Sequence, residues 1–217
     1  MNYEIFTHKT DLMRALQIAV SRSGYTRYTR GNIEPKKAKT LIYKFEDRYG
    51  ISLTKQQRWY RKKKGEAQSC LYLLQEKNET TIQFFLLVSE GEGAVVDLET
   101  LHEFTSKEHR LILDGFEFLR VAKKGGQRWT WRMTSDHYMS IRKKAVKSVK
   151  QKREKDIEQC VFELRVTPPF PECNRQVREI LKRINALYLR VHKERKEFKV
   201  FKGFYGRFKT PRTKLLK

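Results

Sequence analysis

Apolar residues along this chain recur with two periods, and the switch between them outlines its elements. The opening "NYEIF" alternates like a short strand, after which Leu12, Ala15, Leu16, Ala19 and Val20 fall at the spacing of a helix face. Thr10 is placed to cap that helix and Gly24 to stop it. The polar stretch "YTRYTRGNIEP" reads as a loop carrying Arg27 and Arg30 into a second helix near Pro35. The stripe of that helix is Ala38, Leu41, Ile42, Phe45 and Tyr49, with Gly50 just past its end. A third helix over residues 55–64 follows at once. Thr54 and Gln57 have capping-box spacing, and Trp59 is the expected anchor onto the second helix.

From Ser69 the period changes to that of strands. "SCLYLLQ" and "TTIQFFLLVS" read as a hairpin buried on both faces, and "GFEFLRVA" with "RWTWRMT" as a second hairpin turning at "KKGGQ". The stretch over residues 94–113 fits either strand or helix. Trp129 and Trp131 share one face of the second hairpin, and two strand indoles on one face read as core. Ser135 or Asp136 can then cap a long helix reaching residue 155, with Tyr138, Ile141, Ala145 and Val149 on one side. "CVFELRV" reads as a strand and "TPPFPE" as a rigid turn. A last helix capped by Asn174 carries the stripe Val177, Ile180, Leu181, Ile184, Leu187, Tyr188 and Val191. The fold class is α+β: a basic helical part over residues 1–66, a β-rich centre with a basic helix over 67–167, and a C-terminal helix with a basic aromatic tail over 168–217.

Charge changes this picture most. Lys and Arg number 48 against 25 Asp and Glu, a net +23, which strains a compact state by self-repulsion unless a polyanion neutralises it. The excess is unevenly spread. Between Glu76 and Glu117 ten acids face three bases, an acidic middle between two basic flanks. The longest apolar runs, "CLYLL" and "FFLLV", are far short of the roughly 20 residues that span a bilayer, so no membrane role is expected. The first twenty residues lack the pattern of a secretory signal, and the expected location is intracellular, cytoplasmic or nucleic-acid-associated. Cys70, Cys160 and Cys173 have no metal-like spacing and read as reduced thiols.

The expected partner is therefore nucleic acid, DNA or RNA. Lys55, Arg58, Arg61, Lys62, Lys63 and Lys64 lie on the second helix of a helix-turn-helix-like unit spanning the turn "GISLT", which gives a slight preference for double-stranded DNA. Arg27 and Arg30, then Arg142, Lys143, Lys144, Lys147 and Lys150 on the long helix, and Lys202, Arg207, Lys209 and Arg212 in the tail complete the candidate phosphate contacts. A protein partner could use the acidic middle or the C-terminal helix, as in an RNA-binding or adaptor subunit. Enzymatic activity is weakly supported. No cofactor loop, two-histidine metal motif or nucleophile pattern occurs, so no cofactor, metal or catalytic residue is assigned. The catalytic alternative is a Mg²⁺-dependent nuclease using Asp97, Asp114 and Glu117.

Overall fold

A computed structural model describes residues 3–194, 196–200 and 210–216. Its elements in chain order begin with β1 (Glu4–Phe6), α1 (Lys9–Ser23), β2 (Tyr25–Ile33), α2 (Ala38–Tyr49) and α3 (Lys55–Lys63). There follow β3 (Ser69–Leu74), β4 (Ile82–Ser89), α4 (Ala94–Leu98), β5 (His102–Glu103), β6 (Ile112–Leu113), β7 (Phe116–Lys123) and β8 (Gly126–Met133). The chain closes with α5 (Ser135–Lys150), α6 (Glu154–Val166), α7 (Pro171–His192) and β9 (Thr213–Leu215). This is an α+β protein. Among the described residues no helix is long and apolar enough to cross a membrane.

Packing divides the chain into two units that do not follow its composition. The first takes Met1–Arg110, Ala122–Trp129 and Thr210–Lys217; the second takes Leu111–Val121 and Thr130–Lys209. The composition boundary at 66/67 thus falls inside the first unit, and that at 167/168 inside the second.

The first unit is built on a six-stranded sheet in the order β5, β2, β4, β3, β1, β9, in which only β1 and β3 run parallel. Both faces of its centre are buried, as the apolar runs predict: Phe85, Leu86, Leu87 and Val88 are consecutive and all at most 1% exposed. Ala38, Ile42, Phe45 and Tyr49 of α2 cover the face presented by Leu71, Leu73, Leu86 and Val88, while α1 packs along β1, β2 and β3. Two expectations give way here. The segment predicted as a loop is β2, a nine-residue strand paired along β4, because its aromatic and β-branched residues suit a pleated, half-buried surface and a register shift between Tyr25 and Arg27 lets both Tyr25 and Tyr28 face inward. Helix α1 is capped by His8, whose Nδ1 accepts the Thr10 N–H at 3.2 Å, and Thr10 itself lies buried within the helix.

The second unit packs β6, β7 and β8 residues with three helices. Trp131 is fully buried against Phe118 and Phe170, so it is core as predicted. The predicted strand "CVFELRV" is part of α6. Ile157, Cys160, Val161 and Leu164 are its buried residues, spaced as one helix face, with Glu154 and Asp156 favouring the N-terminal end. The long basic helix consequently ends at Lys150, where Lys152 adopts φ 55 and turns the chain. Helix α7 starts three residues before the predicted cap: Pro171 takes the first helical position, where its missing N–H costs nothing. Its predicted stripe is buried at Val177, Ile180, Leu181, Ile184 and Tyr188. That stripe is covered within the unit rather than left for a partner.

Candidate functional site

Helix α5 is held in one rotational setting by its ends and its buried face. Thr134, the residue before the two predicted caps, accepts the His137 N–H on its Oγ1 at 3.3 Å. Ile141, Ala145, Ser148 and Val149 are buried, and the helix packs on both α6 and α7. That setting decides which cation faces where. Lys144 points toward α6, with Nζ 2.6 Å from Glu163 Oε1, and this bond raises its pKa. Predicted as a phosphate contact, it is an ion-pair partner within the unit.

Arg142, Lys143, Lys147 and Lys150 instead line an open groove of about 470 Å³, with Arg183 contributed by α7. The groove continues past Lys150 and Arg183 toward Arg190, over a floor that includes Val146 and Leu187, in a further stretch of about 430 Å³. Among the described residues no carboxylate lines either stretch. None of the six cations forms an ion pair among the described residues. Like charges at i, i+3 and i, i+4, as at Lys143, Lys147 and Lys150, destabilise a helix by about 0.2–0.5 kcal/mol per pair. Here the buried face of α5 offsets that repulsion, and an anion in the groove would remove it. A concave surface of one sign also concentrates its field. Arg183 and Arg190 escape the sequence reading, although Arg183, Leu187 and Arg190 sit at i, i+4, i+7 beside the apolar stripe. Their signal is that second, basic stripe.

Helix α3 departs from the helix-turn-helix expectation in a specific way. Its capping box forms as predicted, with Thr54 Oγ1 accepting from Gln57 N–H at 3.3 Å and Gln57 Oε1 accepting from Thr54 N–H at 2.9 Å. Yet α3 buries no residue. Trp59, the predicted anchor, is 52% exposed, and the residue that turns inward is Arg58. Its Nε donates to Leu53 O at 3.0 Å, Nη2 to Ile51 O at 2.9 Å and Nη1 to the Tyr25 hydroxyl at 2.8 Å. Burial pushes the Tyr25 pKa up to about 12, which keeps that acceptor a neutral hydroxyl. A guanidinium supplies such a three-way fork and an ammonium does not. Arg58 therefore ties the turn after α2 to β2 and is not available to base edges. Gly50 makes the turn possible: its φ is 62°, and a Cβ there would lie 3.0 Å from the Leu53 side chain.

The remaining predicted contacts divide. Lys55, Lys62, Lys63 and Lys64 are exposed on or just past α3, and Arg61 Nε lies 3.6 Å from Glu66 Oε2. Arg27 lies on β2 with Nη2 bonded to Ser89 O at 2.9 Å and Gly91 O at 3.3 Å, so it braces backbone; Arg30 stays exposed on the same strand. Arg212 is not part of a free arm, because its Nε bonds Asp11 Oδ2 at 2.7 Å and the chain beyond it joins the sheet as β9. Lys202, Arg207 and Lys209 lie outside the described residues. Of the central acids, Glu117 accepts from Arg132 Nε at 2.6 Å, and among the described residues no three His, Cys, Asp or Glu side chains gather where they could hold a metal ion. Compared with known proteins, this chain matches no family model, no curated protein and no solved structure.

Proposed function

We propose that this protein binds nucleic acid through the sugar–phosphate backbone, which lies along the groove between α5 and α7. The observation that carries this reading is a groove lined, among the described residues, by six cations and no carboxylate on a chain of net charge +23. From Arg142 to Lys150 the groove follows α5 for about 12 Å at 1.5 Å per residue. The apolar floor at Val146 and Leu187 suits sugar rings, while the rim cations meet phosphate oxygens. Such contacts hold a strand without reading its sequence. The slight preference for double-stranded DNA rested on α2 and α3 and loses its support, since Arg58 is tied to backbone and Trp59 stands exposed. The reading is of a non-catalytic binder.

Titration of labelled duplex DNA, single-stranded DNA and RNA at several salt concentrations tests it. Six phosphate contacts give a slope of log affinity against log salt near −5 on duplex DNA, from about 0.9 per contact. A flat dependence on salt overturns the groove reading. A parallel incubation with Mg²⁺ addresses chemistry: cleavage that disappears when Asp97, Asp114 and Glu117 are replaced by Asn, Asn and Gln would establish the nuclease alternative instead.

A further inference from the structure

Helix α3 presents a second surface, of a different kind. The three bonds of Arg58 fix the roll of the helix, and at about 100° per residue Trp59, Lys63 and Tyr60 are turned about 100°, 140° and 160° away from it. Trp59 is 52% and Tyr60 54% exposed, their rings meeting edge-on with centroids 5.0 Å apart. Lys63 Nζ stands 3.9 Å from the centre of the Trp59 ring. Two large rings exposed side by side are more informative than one alone, and the helix that carries them also exposes Lys55 and Lys62, with Lys64 just past its end, and has no acid. We propose that this face is a stacking platform for the unpaired bases of single-stranded nucleic acid, resting on the nucleic-acid reading above and adding its ligand class.

The chemistry fits one occupant. An ammonium over an indole face is a weak, exposed cation–π contact. When a base approaches, the base takes the ring face and Lys63 swings to the adjoining phosphate, so neither cation nor ring loses its partner. Every base has a π face, so such a platform accepts any sequence but demands that the base be unstacked. A paired duplex hides its faces. An apolar protein partner, by contrast, would have to desolvate the head groups of Lys55, Arg61, Lys62, Lys63 and Lys64 with no acid in the helix to receive them.

The test compares Trp59→Ala and Trp59→Phe with the wild type, using a 12-nucleotide oligo(dT), a 12-nucleotide oligo(U) and a blunt DNA duplex, with intrinsic fluorescence as a second readout. Because Trp59 is exposed, thermal stability stays unchanged and serves as the folding control. Oligonucleotide binding quenches the wild-type emission, and Trp59→Ala weakens it by about five- to 150-fold, the equivalent of one stacked base. Trp59→Phe recovers part of the loss, and duplex affinity moves less than twofold. Quenching by either oligonucleotide supports the platform; the two arms separate deoxyribose from ribose strands. Single-strand affinity untouched in Trp59→Ala, or duplex affinity lost equally, overturns the platform and leaves the α5–α7 groove standing. Self-association of the wild type that Trp59→Ala abolishes overturns it as well. A wild-type protein that binds none of the three probes overturns both.

Discussion

Helix α3 and the groove between α5 and α7 hold similar numbers of cations and differ in what surrounds them. In α3 one arginine is spent on the fold, one leans toward Glu66, and the lysines stand around a helix that buries nothing. In the groove, a buried face on α5 and another on α7 set six cations along one concavity. The same residue types thus form a convex, aromatic surface in one unit and a concave, aliphatic one in the other. Charge density along the sequence does not distinguish the two. What distinguishes them is which neighbours are buried, because burial fixes the roll of a helix and hence the direction of every exposed side chain.

Four measurements would break or sharpen that contrast. The largest effect belongs to the groove: reversing Arg142, Lys147, Lys150 and Arg183 to Glu should lower the magnitude of the salt slope by roughly 3–4 units, about 0.9 for each phosphate no longer neutralised. An equal effect from reversing Lys55, Lys62 and Lys64 would erase the distinction between the surfaces. Next comes Arg58→Ala, which leaves three acceptors without their donor and should reduce unfolding free energy in urea by about 2–3 kcal/mol. Arg58→Lys recovers less than half, since one ammonium does not span the fork. If Arg58→Ala instead leaves stability intact and weakens binding of one DNA sequence selectively, the residue reads bases after all.

A smaller effect separates neighbours on one helix. Lys144→Met should cost about 0.2–1 kcal/mol of stability, the usual worth of an exposed pair, with unchanged affinity. Lys147→Met should do the reverse and shallow the salt slope by about 0.9. The smallest is a pH effect. The hydrogen bond from Lys196 holds the Glu154 carboxyl below its ordinary value of 4.5, helped by the Tyr188 hydroxyl. A lowered folded pKa means that its contribution is complete above pH 4.5 and is lost as pH falls through the lower folded value. Thermal melts of Glu154→Gln should therefore converge on wild type in acid and fall slightly below it near neutrality. A constant gap at all pH values would show that charge at Glu154 plays no part.

Much of the fold was legible because burial writes a period into the chain. The stripes of α2 and α7 and the two hairpins are each spelled by residues that face one core. The failures have physical causes. In "YTRYTRGNI" the strand alternates aromatic, β-branched and charged residues, so half of its pattern looks like a polar loop. In α6 the β-branched and aromatic residues of "CVFELRV" imitate a strand, while the helical spacing starts earlier, at Ile157. On the site, Arg142, Lys143, Lys147 and Lys150 were found because they are neighbours on one helix. Arg183 and Arg190 were not, since only tertiary packing brings them beside α5. Trp59 and Arg58 exchanged roles because size and apolarity favour the indole for an interior position. The three acceptors available there are two backbone carbonyls and a hydroxyl, which a guanidinium can satisfy together and an indole, with a single N–H, cannot.

Strand β9 pairs with β1 from the other end of the chain, and the Asp11–Arg212 bond beside it joins residues 201 apart in sequence. During synthesis the N-terminal residues leave the ribosome long before their last strand exists. Until then the outer edge of β1 offers unpaired N–H and C=O groups, the kind of edge that templates aggregation. The whole second unit, Leu111–Val121 and Thr130–Lys209, must be made before that edge is closed. Closure of so long a loop is slow. The nascent chain thus carries an open sheet edge for as long as α5, α6 and α7 are being translated.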